Sequence, residues 1–280
     1  MNRLCDTHVH VFAPGQFPYV PLRKFTPDTA NVERLQTHLK TIDADSVVLV
    51  QPSVYGTDHR CLLNALGILG PKARGIAVID QTTCPNEIKL LNQSGVVGAR
   101  INTVVNREEG SKFALAAIQH LESNIPNHWH IQLHVNLNAL ETLADHIAKS
   151  SRHFVLDHLG LPDVTSGLDN QHWQLLLDIV RTGKLYVKVS APYLSSERLS
   201  PYEDLKPFIE SLIHTNSERL LWGTNWPHTK GTQREASTSL TQIEKFRNED
   251  DVQWRDKCVA WSTQHHAQVT FKNAHSLYFK

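Results

Sequence analysis

The chain lacks an excess of charge of either sign: Lys and Arg number 28, Asp and Glu 28. No net field draws it to nucleic acid, an anionic membrane or a polyanionic partner. It also lacks a CxxC pair, its four cysteines (Cys5, Cys61, Cys84 and Cys258) being scattered. That spacing excludes a zinc knuckle or disulfide framework and fits reduced thiols in a cytoplasm. No apolar h-region follows Met1-Asn2-Arg3, and no apolar run approaches the roughly 20 residues that span a bilayer. A cytoplasmic protein without a membrane partner is the expectation. A glycine-rich phosphate loop after the first apolar run is missing too, which counts against an open, doubly wound nucleotide-binding sheet. These absences leave a neutral small molecule or a weak anion as the suitable partner.

Histidine, by contrast, is plentiful, with 17 among 280 residues, and a structural pattern repeats along the chain. Short β-branched or apolar runs occur at Leu4–Phe12, Ser46–Ser53, Arg74–Asp80, Val96–Val104, Trp129–Val135, His153–Leu159, Leu185–Ala191 and Arg219–Thr224. Between them apolar residues recur at helical spacing. The series are Val32/Leu35/Leu39/Ile42, Leu62/Leu63/Leu66/Leu69, Ile88/Leu91, Phe113/Ala117/Leu121, Leu140/Leu143/Ile147, Trp173/Leu176/Leu177/Val180 and Leu205/Phe208/Ile209/Leu212. Leu240/Ile243/Phe246 predicts an eighth helix. Strands alternating with helices require parallel pairing through right-handed crossovers, and eight such units close most naturally into a (β/α)8 TIM barrel. No linker divides residues 1–280, so one domain is expected, with a tail over 251–280 that packs beneath or around the barrel.

In such a barrel, reactive side chains come from the C-terminal ends of the strands. The first run reads Asp6-Thr-His8-Val-His10, and the period of two puts both histidines on one face, as a divalent ion would need. One such pair is as readily two packed histidines. The fifth run ends at His134, the sixth at Asp157-His158 and the eighth at Asn225. Four histidines and an amide then converge on one axis, which favours a site. The identity of residue 225 matters, because a carboxylate could move a proton there and an amide cannot.

Seven stretches carry a family resemblance: Asp6-Thr-His-Val-His10, Val50-Gln-Pro-Ser-Val-Tyr-Gly-Thr-Asp58, Val97-Gly-Ala-Arg-Ile-Asn102, Trp129-His-Ile-Gln-Leu-His134, Leu156-Asp-His-Leu-Gly160, Val187-Lys-Val-Ser190 and Trp222-Gly-Thr-Asn-Trp-Pro-His228. Together, over residues 4–230, they resemble the amidohydrolase-related proteins grouped with 2-pyrone-4,6-dicarboxylate lactonase. The resemblance implies a metal-dependent-hydrolase-like barrel acting on small lactones of sugar acids or of aromatic breakdown. It implies His8, His10, His134, His158 and Asn225 as catalytic positions. Arg100, Ser53, Tyr55, Thr57, Asn102, Lys188, Ser190 and His228 become the expected substrate contacts. Some members carry zinc, for which His8, His10 and His134 would be the ligands; others, the pyrone lactonase included, work without it.

The chain departs from that pattern at telling places. Hydrolytic members end the last strand in Asp, and here it is Asn225. General acid–base help worth roughly 10²–10⁴ in rate must then come from His134, His158 or His228, and an amide is a poorer metal ligand than a carboxylate. Of the arginines around the pyrone dicarboxylate, Arg100 matches one. The other positions appear as Asn106, Leu161 and Leu194, with Arg107 and Arg23-Lys24 as candidate substitutes and Phe25 in place of a tyrosine. A substrate with one carboxylate, or with hydroxyls, is therefore expected. Asn225 and the segment Tyr193–Asp204 also resemble galactarolactone isomerase-like members, which lack counterparts of His8 and His134.

Lactone hydrolysis is thus the leading expectation, with intramolecular lactone isomerisation and a catalytically impaired ligand-binding paralogue as alternatives. A metal-dependent DNase on the same barrel is disfavoured by the zero net charge. Lys188 either meets a substrate carboxylate or is satisfied by Asp157 or Asp80 within the barrel. Asp6 and Asp157 are placed to orient histidines. Trp226 reads as a packed wall, and Glu249-Asp250-Asp251 as a solvated turn at a helix end.

Overall fold

Each apolar run must bury both faces of a short parallel strand, so its middle becomes sheet and its polar end becomes loop. A computed structural model describes residues 3–104, 110–234 and 239–280. Its strands are β1 (Cys5–Val9), β2 (Thr26–Pro27), β3 (Ser46–Val50), β4 (Ala73–Ala77), β5 (Val96–Asn102), β6 (His130–His134), β7 (Phe154–Leu156), β8 (Leu185–Val189), β9 (Leu220–Trp222) and β10 (Ile243–Glu244). Eight of them pair in parallel in the order β1-β3-β4-β5-β6-β7-β8-β9. The seam between last and first closes just beyond the strands: Asn225 N donates to His8 O at 2.9 Å and His10 N to Trp226 O at 2.8 Å. The 220–228 motif therefore closes the barrel and lies beside His8 and His10. With the helices outside, this is the expected (β/α)8 TIM barrel.

Amphipathic helices cover the strands: α1 (Val32–Thr41), α2 (Arg60–Leu69), α3 (Pro85–Gln93), α4 (Gly110–Asn124), α5 (Leu140–Lys149), α6 (Gln171–Arg181) and α7 (Lys206–Asn216). In α4 the buried stripe is Ala114/Ile118/Leu121, and Phe113 is exposed. The helix exists, but its inward face is rotated by one residue from the expected series.

The helix expected at Leu240/Ile243/Phe246 does not form. Ile243–Glu244 instead pairs in parallel with Thr26–Pro27, leaving Leu240 and Ile243 exposed while Glu244 is buried. A spacing of three had suggested a helix, but an inward-facing glutamate on a paired strand decided the outcome. The eighth helical position belongs to α8 (Asp251–Ser262), N-capped by Asp250, which accepts from Gln253 N at 2.9 Å. Of Glu249–Asp251 only Asp250 is the exposed residue expected at a helix end; Glu249 accepts from Arg247 Nε at 2.7 Å and Asp251 from His228 Nε2 at 2.9 Å.

The tail finishes in α9 (Asn273–Tyr278). Ala274 and Tyr278 pack against Cys5, Ile76, Val155 and Leu221, closing the barrel from below. No helix among the described residues is long and apolar enough to cross a membrane.

Candidate active site

Asp157, directly after β7, is the buried anchor of the barrel's upper layer. Its Oδ2 accepts from both Nε and Nη2 of Arg100 at 2.9 Å. Its Oδ1 lies 3.3 Å from His8 Nδ1 and 3.7 Å from Lys188 Nζ. Burial works against the charge, but His8, Arg100 and Lys188 crowd the carboxyl and hold it well below the usual carboxylate range. Lys188 donates to Thr7 O at 2.8 Å and Gln132 Oε1 at 2.9 Å. Burial pushes its ammonium down to about 8 against the opposing pull of Asp157, so it is mostly charged at neutral pH. Asp80 takes no part; it accepts from Thr82 in its own turn.

Four imidazoles sit over this floor. Ring centroids are 5.0 Å apart for His8 and His10, 4.6 Å for His8 and His158, and 5.2 Å for His134 and His158. Burial, reinforced by Arg100, lowers His10 and His158 to about 3. Burial with Lys188 holds His8 well below its ordinary value, and burial with Arg100 does the same to His134. All four are therefore neutral at pH 7.

Neutrality makes the tautomers meaningful. His10 Nδ1 lies 2.7 Å from Val50 O, and a carbonyl only accepts, so Nδ1 carries the hydrogen and Nε2 presents a lone pair. His158 Nδ1 meets Ser190 Oγ at 2.8 Å. Both ring nitrogens of His134 and Nε2 of His8 are buried without a partner among the described residues. Such orphaned polar atoms cost free energy unless a ligand or water meets them.

Asn225, held at a positive φ of 68°, is oriented by a chain of polarity. The single hydroxyl hydrogen of Tyr193 goes to Thr229 O at 3.2 Å. Tyr193 can then only accept from Asn225, whose Nδ2 lies 2.8 Å away. The amide hydrogens thus face Tyr193. Oδ1, buried and without a partner among the described residues, is the end left for a ligand that donates.

A cleft at the C-terminal mouth is lined by His10, Phe12, Phe25, Pro52, Ser53, Arg100, Asn102, His134, His158, Leu194, Asn225, Thr229, Gly231 and Arg234. It gathers His10, His134, His158, Asn225, Arg100, Ser53 and Asn102 from the expected positions. His8, Lys188 and Ser190 support it from behind. Tyr55 is turned away, its hydroxyl accepting from Ala13 N at 2.8 Å. Thr57 belongs to the turn that Gln51 braces by donating to Gly56 O at 2.7 Å. His228 is bound to Asp251, because a positive φ of 72° swings it off the line of Asn225. Trp226 stacks on His38 at 5.5 Å, a packed wall. Asn106 and Arg107 lie outside the described residues, and Arg23 is engaged with Thr26 Oγ1 at 2.8 Å. Sequence reasoning missed Phe12, Pro52, Thr229 and Gly231 among the lining residues and, with more consequence, Arg234. Its only signal was a lone arginine in the polar run after the last strand.

For a metal ion, the donors brought within 4.8 Å of one another are His8, Asp157 and His158, not His8, His10 and His134. The fit is poor. Asp157 Oδ1 and His8 Nε2 have no hydrogen-bond partner among the described residues, but the Arg100 guanidinium lies 2.9 Å from Asp157 Oδ2 and the Lys188 ammonium 3.3 Å from His8 Nδ1. A divalent ion there would join two fixed cations around one carboxylate.

Comparison with known proteins agrees with the geometry. The family model described as amidohydrolase matches residues 5–279. A 2-pyrone-4,6-dicarboxylate hydrolase of Comamonas testosteroni is 33% identical over 80% of this chain and 76% of its own length. A D-galactarolactone isomerase of Agrobacterium fabrum is 26% identical, covering 80% of this chain and 76% of its own. Among solved structures, a probable 2-pyrone-4,6-dicarboxylic acid hydrolase from Acinetobacter baumannii with citric acid bound superimposes with TM-score 0.78 at 26% identity, covering 100% of both chains.

Proposed function

The chain belongs to the amidohydrolase family, and from that premise we propose that it hydrolyses a small carboxylated lactone. One observation carries the reading: the orphaned acceptor Asn225 Oδ1 stands on the chain segment bonded to the His8–His10 strand end, beside a His10 whose tautomer fixes a lone pair on Nε2. Asn225 Oδ1 accepts one hydrogen of a water and aims it. His10 Nε2 takes the other hydrogen as the water oxygen attacks the lactone carbonyl. Arg100 and the N–H of the unpartnered His134 ring face the cleft and stabilise the oxyanion. The ring C–O bond then breaks and His10 returns its proton to the departing oxygen. Because the Arg100 and Lys188 cations already stand beside Asp157, this reading routes no step through a metal and uses no cofactor.

Acid release from 2-pyrone-4,6-dicarboxylate, muconolactone-type and sugar-acid lactones tests the proposal, with elemental analysis of the same sample. His10→Asn should lower kcat by about 10²–10³, and chelation should change it less than twofold. A protein inert across the panel, with and without added zinc, would sink the reading.

Asn225, which can neither take nor give a proton, favours one second reading, isomerisation, in which a substrate hydroxyl attacks the carbonyl in place of water, its proton passing to His10 Nε2 and then to the departing ring oxygen. NMR would then show one lactone becoming another before any open acid, with no oxygen taken from labelled water.

A further inference from the structure

We infer that Arg234 and Glu244 form a second anion subsite, which takes an acidic substituent, carboxylate or sulfonate, carried by the substrate ring. This rests on the lactonase reading and names its substrate class, a flat lactone with two acidic groups. Arg234 reaches the cleft from the loop after β9. Its Nε and Nη2 donate to Glu244, the latter at 2.9 Å to Oε1, and Nη1 lies 3.4 Å from Gly231 O. Guanidinium has five N–H donors, so one hydrogen on each Nη has no partner among the described residues. The side chains of Arg234 and Glu244 are only 12% and 3% exposed, and the guanidinium lies 3.7 Å over the Phe25 ring.

The arrangement repeats that of Arg100, which is also seated on a buried carboxylate and also lines the cleft. In both, the carboxylate behind fixes the planar fork, so little side-chain freedom is lost when an anion binds in front. Glu244 reaches this position only because β10 pairs with β2. Phe12, Phe25 and Leu194 face the same cleft. Such apolar walls suit an unsaturated ring better than a polyol. The glutamate cancels much of the charge, so the expected selectivity is one to two orders of magnitude.

The test compares the wild type with Arg234→Lys and with Arg234→Met/Glu244→Gln, a pair that leaves no buried carboxylate unpaired. Substrates are 2-pyrone-4,6-dicarboxylate and the matched 2-pyrone-6-carboxylate, and citrate binding is followed by calorimetry. The double variant should lose roughly 10- to 100-fold in kcat/KM on the diacid, through KM, and under threefold on the monoacid, with lysine restoring part of the loss. Equal losses on both substrates, or none, would overturn the subsite. If neither lactone is hydrolysed, the lactonase reading falls by itself. Citrate binding that weakens at least tenfold in the double variant and recovers with lysine then still supports the subsite. Wild-type protein that ignores citrate, or binds it as well after the substitutions, refutes it.

Discussion

The floor and the cover of the cleft are built on opposite principles. The floor is barrel: Asp157, Lys188, Arg100 and four imidazoles project from strand ends, fully or almost fully buried, and each charge is compensated by a neighbour. The cover is loop: Phe25, Leu194, Gly231 and Arg234 are held by a two-residue strand pair and by partly exposed contacts such as Lys245 with Asp28 at 2.7 Å. In the proposed function the floor sets what chemistry can occur. The cover selects what enters and tolerates change.

Substitutions can break that division. Asp157→Ala would leave Arg100 and Lys188 buried without their carboxylate and should destabilise by about 3–5 kcal/mol in urea unfolding; a loss below about 1 kcal/mol would mean that Asp157 is not the anchor. Acid should act on the floor next. In the resting site His10 and His158 become protonated only near pH 3, whereas an unfolded histidine binds a proton near 6.5. Stability is then complete above pH 6.5 and falls as pH falls, by about 1.4 kcal/mol per pH unit for each such group. Asp157, held low, adds a loss of the same sign below about pH 4. A midpoint of denaturation unchanged between pH 7 and 5 would contradict neutral, buried imidazoles.

Asn225→Asp should raise kcat for hydrolysis at least tenfold, since a carboxylate there can accept the proton of the water that the amide only aims. A rate of acid release that stays the same or falls would instead favour isomerisation, in which no water is activated. At the cover, Lys245→Ala removes a largely exposed ion pair and should cost no more than about 0.5 kcal/mol, measurable as a small shift in midpoint with kcat unchanged.

Much of the floor was legible before any coordinates. His10, His134, His158 and Asn225 each follow a short apolar run, and a strand's two-residue period with the barrel's single axis is enough to bring such ends together. His228 was misplaced, though only three residues from Asn225, because a positive φ turns it toward Asp251. Tyr55 was misplaced because its hydroxyl found an amide in the loop after β1. Arg234 was illegible: its place depends on Glu244, and Glu244 depends on a pairing with Thr26–Pro27 more than two hundred residues earlier.

The sequence by itself determined the eight-fold alternation, the histidines at the strand ends and the amide where a carboxylate might stand, because local periodicity and residue identity are properties of the chain. Only the tertiary structure decided which imidazole presents a lone pair, which end of Asn225 is bonded to Tyr193, and that a second arginine reaches the cleft. Those depend on hydrogen-bond partners and loop pairings between residues far apart in sequence, and no local pattern encodes them.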